Sequence, residues 1–283
     1  MEYLEITVAV PEESKEAVRY RMGAMGAMGF AEEGSKVIAY FEQTSSPAEI
    51  CRELAGFRAV LASSGLDPSL SCSFRVLPDR DWNETWKKNF RPIDVGDSLT
   101  IIPSWLPMET ERIPIIIDPG MVFGTGHHET TQTCLILIER LAKRPVRKSL
   151  LDIGTGTGIL AIGAARLGFE QVMAVDIDPL AVDAATRNVA ANGLTNIDVR
   201  EGTIASVSGT FDVIVANLLS EILTAIASEL SLRLNHDGAA ILSGLLVGQE
   251  EGVLRVMSSV GLTCRERVID GMWTSLLCSK NPE

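Results

Sequence analysis

One stretch of the sequence, residues 148–179, restricts the fold more than any other part of the chain. A short apolar run over residues 149–153 predicts a strand, and apolar residues recur at helical spacing from Ile159 onward. Three glycines lie between these two patterns, at Gly154, Gly156 and Gly158. Glycine suits such a turn because it adopts positive φ and lets a ligand approach the backbone, while the first helix amides remain as donors. The stretch therefore predicts a βαβ unit that binds a nucleotide.

The second strand of this unit ends at an acidic residue. Residues 171–175 form another apolar run, and Asp176 follows it. A carboxylate in that place can accept hydrogen bonds from ribose hydroxyls. Dinucleotide-binding enzymes use the spacing G-x-G-x-x-G, whereas this chain has G-x-G-x-G, with Ile159 where the third glycine would stand. The spacing disfavours NAD or FAD, and the joint presence of glycines, acid and βαβ context disfavours a turn that binds nothing.

Composition and charge narrow the function classes. The chain has 283 residues, 46% of them hydrophobic, and a formal net charge of −12. This length allows two domains, and the acidity argues against broad duplex or tRNA binding while it accommodates a basic partner. The acidic amino terminus shows no secretory signal, and the best candidate for a membrane span, residues 213–223, is interrupted by polar side chains. We expect a cytoplasmic protein without a membrane partner.

The cysteines and histidines do not indicate a metal site. The five cysteines are scattered through apolar patterns, at Cys51, Cys72, Cys134, Cys264 and Cys278. They form no C-x-x-C pair, so we expect all five to be reduced thiols in the core. The histidines lack a carboxylate at metal-ligand spacing, and we predict that the chain binds no metal.

The amino-terminal part of the chain has a pattern of its own. Strand and helix patterns over residues 1–77 follow the order β-α-β-β-α-β, which predicts a small ferredoxin-like α+β domain. Residues 78–95 are charged and carry Trp82, Trp86 and Phe90 at helical spacing, so they are predicted to be a helical linker that packs between domains. The alternative for this aromatic stripe is a substrate-binding surface.

A second glycine-rich segment precedes the βαβ unit. It leads into a helix pattern that starts near Glu129. Thr130 and Thr131 lie at the start of this helix, where hydroxyls and free amides can hold a carboxylate. A ligand with an amino-acid end needs such a site. His127 and His128 are predicted to belong to a mobile loop over the ligand.

The alternation of helices and strands continues to the end of the chain. Residues 211–216 predict an apolar strand that delivers Asn217, and a helix pattern follows over residues 218–234. Residues 262–269 and 274–279 are predicted to close the sheet as two strands. A dinucleotide-binding fold normally lacks a final antiparallel strand of this kind.

Several segments together resemble the ribosomal-protein methyltransferase PrmA family, namely FGTGHHETTQ, LLDIGTGTGILAI, VDIDPLAV, VIVANLL and DWNETWKKNF. The motif D-x-G-x-G-x-G with a following acid is also similar to motifs I and II of class I S-adenosylmethionine methyltransferases. The resemblance covers essentially the whole chain. It implies an α/β fold, with a seven-stranded Rossmann-like methyltransferase domain over residues 96–283 and the ferredoxin-like domain holding the substrate. Enzymes of the family methylate large-subunit ribosomal protein eleven.

The resemblance also implies the cofactor and its ligands. The cofactor is S-adenosylmethionine, and the implied contacts are Thr131, Gly154, Gly156, Gly158, Asp176, Ile177 and Asn217. This chain departs from the family in one segment, which reads GTGTHPTT in many members. It has His127 in place of a threonine and Glu129 in place of the proline. The departure affects the expected rigidity of the loop and leaves the helix-initiating threonines in place.

The chemistry of the acceptor assigns a role to Asn217. Presenting a neutral lysine amine at neutral pH costs about 4 to 5 kcal/mol, whereas an α-amine costs about 1 kcal/mol. Asn217 offers a neutral acceptor that aligns N–H groups, while a carboxylate there would stabilise the ammonium ion. We therefore predict that Asn217 is catalytic and assign no general base. Two alternatives remain at this point: another methyl acceptor, such as a small amine or a tRNA base, and a donor-binding assembly factor without catalysis.

Overall fold

The computed structural model describes residues 3–27, 29–42, 46–63, 65–77, 91–106, 108–118, 122, 124–144 and 148–280. The chain divides into two compact units, Met1–Phe90 and Arg91–Glu283. Residues 78–90 of the predicted helical linker, with Trp82, Trp86 and Phe90, fall outside the described residues. The helical prediction is wrong for the end of that segment, because Ile93–Val95 forms a strand. Within the described ranges, no helix combines the length and the apolar character that crossing a bilayer requires.

The first unit has the predicted order of elements: β1 (Tyr3–Ala9), α1 (Lys15–Ala24), β2 (Gly29–Glu33), β3 (Lys36–Glu42), α2 (Pro47–Ser63) and β4 (Ser71–Leu77). Its sheet has the order β2-β3-β1-β4, and each neighbouring pair is antiparallel. Alternate residues of β1, Leu4, Ile6 and Val8, are buried in a core that includes Leu54 of α2. One face of the sheet is therefore covered by the helices.

The prediction of five reduced cysteines is wrong for two of them. Cys51 on α2 and Cys72 on β4 form a disulfide, with their Cα atoms 5.8 Å apart. Folding of α2 onto the sheet brings the two residues together, and spacing along the sequence does not reveal such a pairing. Cys134, Cys264 and Cys278 are free thiols.

The second unit alternates strands and helices. Its elements are β5 (Ile93–Val95), β6 (Leu99–Pro103), β7 (Ile113–Ile117), α3 (Glu129–Ala142), β8 (Ser149–Ile153), α4 (Ile159–Arg166), β9 (Gln171–Asp176), α5 (Pro179–Ala191), β10 (Ile197–Glu201), β11 (Phe211–Asn217), α6 (Ser220–Ala225), α7 (Ala227–Arg233), β12 (Leu234–Leu246), α8 (Glu250–Ser259), β13 (Leu262–Asp270) and β14 (Trp273–Lys280). Short 3-10 helices span Glu12–Ser14 in the first unit and Ile204–Ser206 in this one.

The large sheet confirms the predicted seven-stranded Rossmann-like arrangement. Its order is β10-β9-β8-β11-β12-β14-β13, and β5, β6 and β7 form a separate three-stranded sheet. Strands β8 to β12 are parallel to one another, whereas β14 runs antiparallel to both β12 and β13. The carboxyl ends of parallel strands meet at one edge, where open α/β sheets bind their ligands. The glycine turn, Asp176 and Asn217 follow or end three of these strands.

The single helix predicted over residues 218–234 is instead two short helices, α6 and α7. Ile226 separates them with φ −96° and ψ 7°. The break involves neither proline nor glycine, the residues that mark helix interruptions in a sequence. Strand β12 starts directly at Leu234, the last residue of the predicted helix.

Asn188 of α5 and Asn192, the C-cap residue of the same helix, connect α5 to β7 and to the glycine turn. Asn192 accepts a hydrogen bond from the Ile116 amide over 2.9 Å and donates to the Ile116 carbonyl over 2.7 Å. One helical turn earlier, Asn188 accepts from the Asp118 amide and donates to the Thr157 carbonyl, both over 2.9 Å. These two amides satisfy backbone groups as a neighbouring strand would, and they tie the end of β7 to the glycine turn.

Candidate functional site

The turn between β8 and α4 has a backbone conformation that favours glycine. Gly154, Gly156 and Gly158 have φ values of 69°, 55° and 82°. A Cβ atom at Gly154 would also lie 2.5 Å from Cδ2 of Leu218. The three glycines therefore allow the chain to reverse tightly at the carboxyl edge of the sheet, and Gly158 is the N-cap of α4.

The carboxylate of Asp176 is fixed above this turn. Its Oδ2 atom accepts a hydrogen bond from the Gly156 amide over 2.9 Å, and its Oδ1 atom accepts one from the Asp178 amide over 3.0 Å. A carboxylate oxygen has a further lone pair after one such bond, so both oxygens can still accept hydroxyl groups. Ile177, the next residue, is 73% exposed beside it. A carboxylate held in this way can accept hydrogen bonds from the hydroxyls of a ribose.

A second acid, Asp152, supports the turn from inside the domain. This fully buried residue accepts hydrogen bonds at Oδ2 from the Thr155 hydroxyl over 2.6 Å and from the Ala161 amide over 3.2 Å. Its Oδ1 atom is buried with no hydrogen-bond partner among the described residues. Burial raises the pKa of this carboxyl to about 7. Asp152 is not among the predicted site residues, although an acid inside an apolar strand two positions before a glycine turn was a usable signal.

Three side chains from β11 and α3 form one hydrogen-bonded network. Asn217 donates from Nδ2 to Thr130 Oγ1 over 3.1 Å. Thr130 Oγ1 lies 2.8 Å from Nδ1 of His128, and the same Nδ1 accepts a hydrogen bond from the Thr130 amide over 3.3 Å. His128 is therefore the N-cap of α3, because its ring supplies the acceptor that a helix start needs.

The imidazole of His128 also contacts an aromatic residue from the far end of the chain. The ring centroids of His128 and Trp273 are 4.8 Å apart, in an edge-on arrangement with an interplanar angle of 63°. Trp273 is the first residue of β14, directly after the turn from β13. Trp273 is not among the predicted site residues, because a single tryptophan at a strand end forms no pattern in the sequence.

A cavity of about 560 Å³ lies at this edge of the sheet. Its volume is in the range of small-molecule sites. Five of the predicted site residues line it: Gly154, Gly156, Asp176, Ile177 and Asn217. His128, Thr130 and Trp273 line it as well. The structure thus brings the glycine turn, the ribose-binding candidate and the Asn217 network to one place.

Two predicted residues, Thr131 and Gly158, are not among the described residues that line the cavity. Thr131 is only 1% exposed, and its hydroxyl has no hydrogen-bond partner within the described part of the chain. At Gly158, an added Cβ atom would lie 3.1 Å from the Cβ atom of Ala185 on α5. Gly158 therefore permits close packing of two helices behind the turn.

The charges around the cavity are negative. Among its described lining residues, the carboxylates are Asp176 and Asp178, and neither lysine nor arginine is present. Asp178 uses its side chain to accept the Leu180 amide at the start of α5. Such a cavity favours a ligand with positive charge and disfavours a pyrophosphate. No group of His, Cys, Asp and Glu in the described ranges is arranged to hold a metal ion.

Comparisons with known proteins point to one family. The family model described as "Ribosomal protein L11 methyltransferase (PrmA)" matches residues 2–281. A ribosomal protein L11 methyltransferase from Pelobacter propionicus is 35% identical over 300 residues, which cover 97% of this chain and 96% of that protein. One from Symbiobacterium thermophilum is 40% identical over 227 residues, which cover 78% of this chain and 72% of that protein.

The fold has a solved relative. The crystal structure of a ribosomal protein L11 methylase from Lactobacillus delbrueckii subsp. bulgaricus superposes with a TM-score of 0.63 at 34% sequence identity. The match covers 68% of this chain and 99% of that one.

Proposed function

The chain belongs to the ribosomal protein L11 methyltransferase (PrmA) family, and we propose that it transfers methyl groups from S-adenosylmethionine to amines of ribosomal protein L11. The observation that carries the proposal is the position of Asn217. Its side chain lines the same cavity as the glycine turn and Asp176. A neutral amide beside a donor-binding turn is suited to an amine acceptor.

The residues around the cavity fit S-adenosylmethionine. Two carboxylate oxygens of Asp176 are oriented by backbone amides and retain lone pairs for ribose hydroxyls. The positive φ values of Gly154 and Gly156 keep the backbone open beside that carboxylate. The acidic lining suits a sulfonium cation. When bound, this cofactor supplies an electrophilic methyl group.

The other predicted cofactor contacts support the proposal in different ways. Ile177 is exposed beside the Asp176 carboxylate and can cover a face of the nucleoside. Gly158 supports the site through helix packing. Thr131 carries a buried hydroxyl without a partner among the described residues, and we retain it as a group that the cofactor can satisfy.

The chain's own contribution to the reaction is positioning. Asn217 accepts an N–H group of the neutral amine, which turns the nitrogen lone pair toward the methyl group. The absence of a carboxylate from this position avoids stabilising the ammonium form. We assign the proton released from the amine to solvent. The acceptors are lysine side chains and the α-amine of L11, with several methyls on one nitrogen.

The division of labour in the chain follows the sequence pattern. We propose that residues 1–77 recognise the ribosomal protein, that residues 78–95 link the domains, and that residues 96–283 carry the transfer chemistry. We also propose that the enzyme is cytoplasmic, because its proposed substrate is a ribosomal protein. Family membership does not favour the alternatives of a small amine, a tRNA base or a non-catalytic assembly factor.

The test is incubation of the purified chain with labelled S-adenosylmethionine and L11, free and ribosome-assembled, followed by mass mapping of the product. We expect mass gains in steps of one methylene on lysines and the amino terminus. Asn217→Ala should lower kcat by about 100-fold, the size expected from loss of acceptor alignment. Asn196→Ala, at the opposite edge of the sheet, is the matched control and should stay within about twofold. Methylation of RNA but not L11 would overturn the proposal.

A further inference from the structure

The Asn217 side chain has two ends of nearly equal shape and opposite chemistry. If Oδ1 faces the acceptor amine, it takes an N–H group and leaves the nitrogen lone pair available. If Nδ2 faces the amine, it donates to that lone pair and blocks it. Catalysis by Asn217 therefore depends on which end of the amide faces the cavity, and hydrogen-bond partners determine that choice.

The partner network determines the direction of each hydrogen bond. The Thr130 amide can only donate, and it lies in hydrogen-bond geometry 3.3 Å from Nδ1 of His128, so we assign a lone pair to this nitrogen. Thr130 Oγ1, 2.8 Å from the same Nδ1, must then donate its own proton to it. A hydroxyl has one proton to give, so toward Asn217 the Thr130 oxygen can only accept. Asn217 consequently presents Nδ2 to Thr130, over 3.1 Å.

The other end of the amide is left on the cavity side. A Cβ atom at Gly244 would lie 3.1 Å from Asn217 Oδ1, and Gly244 lines the cavity with φ 85°. Glycine at this position therefore leaves the space beside Oδ1 open. Trp273, with its ring centroid 4.8 Å from that of His128, packs edge-on against the imidazole at the start of this chain of bonds.

We propose that His128 and Thr130 are positioning residues. They fix the orientation of the Asn217 side-chain amide, so that Oδ1 faces the methyl acceptor. This inference rests on the proposed function for its consequence in catalysis, whereas the orientation of the amide is a property of the protein alone. Neither residue contacts the reacting atoms in this mechanism. Both act through the direction of two hydrogen bonds.

The discriminating pair of variants is Thr130→Val and Thr130→Ser. Valine retains the branched shape of this buried residue and removes the hydroxyl, while serine retains the hydroxyl and removes the methyl group. We expect Thr130→Val to lower kcat by about tenfold or more. The KM for L11 should stay within about twofold, because binding of L11 does not depend on the orientation of the Asn217 amide. Thr130→Ser should restore most of kcat. Thr133→Val, another buried threonine on α3, is the matched control.

A second readout does not require activity. The side-chain amide protons of Asn217, identified by their loss in Asn217→Ala, should exchange slowly in the wild type and in Thr130→Ser. They should exchange faster in Thr130→Val, because Nδ2 then lacks its acceptor. If L11 is not a substrate, this NMR result still decides the orientation, so failure of the proposed function and failure of the inference are distinguishable.

The same network can be tested from its other end. His128→Asn keeps a side-chain acceptor at the helix start, whereas His128→Ala removes it. We expect the asparagine variant to retain slow amide exchange at Asn217 and the alanine variant to lose it, even if Thr130→Val does not fold. Equal kcat in wild type and Thr130→Val, or an equal loss in Thr130→Ser, would overturn the proposal.

Discussion

Replacing Asp152 with asparagine should remove a pH dependence from the stability of the Arg91–Glu283 unit. The carboxyl is fully buried, and burial raises its pKa from the ordinary value of 3.8 to about 7. The folded protein therefore keeps a proton that the unfolded chain releases. The contribution of this carboxyl group to the free energy of unfolding does not change with pH below about pH 4. It becomes unfavourable to the folded state as the pH rises to about 7, and it is constant above that pH.

The magnitude follows from the two pKa values. A difference of about three units corresponds to about 4 kcal/mol of unfavourable free energy at about pH 8. At about pH 5 the same relation gives about 1.5 kcal/mol. Asparagine has the same shape and does not titrate, so its fixed effects on packing and hydrogen bonding are equal at both pH values. The free energy of unfolding of Asp152→Asn relative to wild type should thus rise by about 2.5 kcal/mol between about pH 5 and about pH 8.

The assay is urea unfolding of both proteins across this range, followed by tryptophan fluorescence. The transition of the Arg91–Glu283 unit is the one that the substitution shifts. Titration of the Asp152 carboxyl carbon by NMR, assigned by its absence in the variant, provides a direct measurement of the pKa. A stability difference that is the same at both pH values, together with a carboxyl that ionises near pH 4, would refute the reasoning from burial.

Three other substitutions test separate parts of the structure. Asp176→Ala should weaken cofactor binding by about tenfold or more in calorimetry, while circular dichroism stays unchanged; unaltered affinity would exclude Asp176 as the ribose ligand. Gly154→Ala should lower the free energy of unfolding by about 1 to 3 kcal/mol in urea, because its φ is 69° and Leu218 lies in the way. Cys51→Ser opens a loop of sequence separation 21 and should destabilise Met1–Phe90 by about 3 kcal/mol. The wild-type protein in the presence of a reductant should lose the same free energy of unfolding as Cys51→Ser.

The helices and strands whose apolar residues recur with a regular period were predictable from the sequence. The glycine turn and Asp176 lie in one βαβ unit whose apolar runs leave little choice of secondary structure. Asn217 could be placed because the ends of parallel strands meet at a common edge of the sheet. In each case the information lies within a short stretch of chain.

The parts that sequence reasoning missed depend on contacts between distant segments. Trp273 approaches His128 only because β14 inserts next to β12, so neither residue carries a local sign of the contact. The Cys51–Cys72 pairing has the same origin. The network that joins His128 to Asn217 also depends on a choice of proton positions, which no pattern of residue types encodes.

Asn188 and Asn192 have a consequence beyond the order they impose near the cavity. Strand β7 is an edge strand of its three-stranded sheet, and exposed edges present backbone groups that can template pairing with another molecule. Asn192 occupies both backbone groups of Ile116, and Asn188 occupies those of Asp118 just beyond the strand. These two side chains thereby occupy the outward backbone groups at the carboxyl end of β7, which then cannot pair with the strand of another molecule.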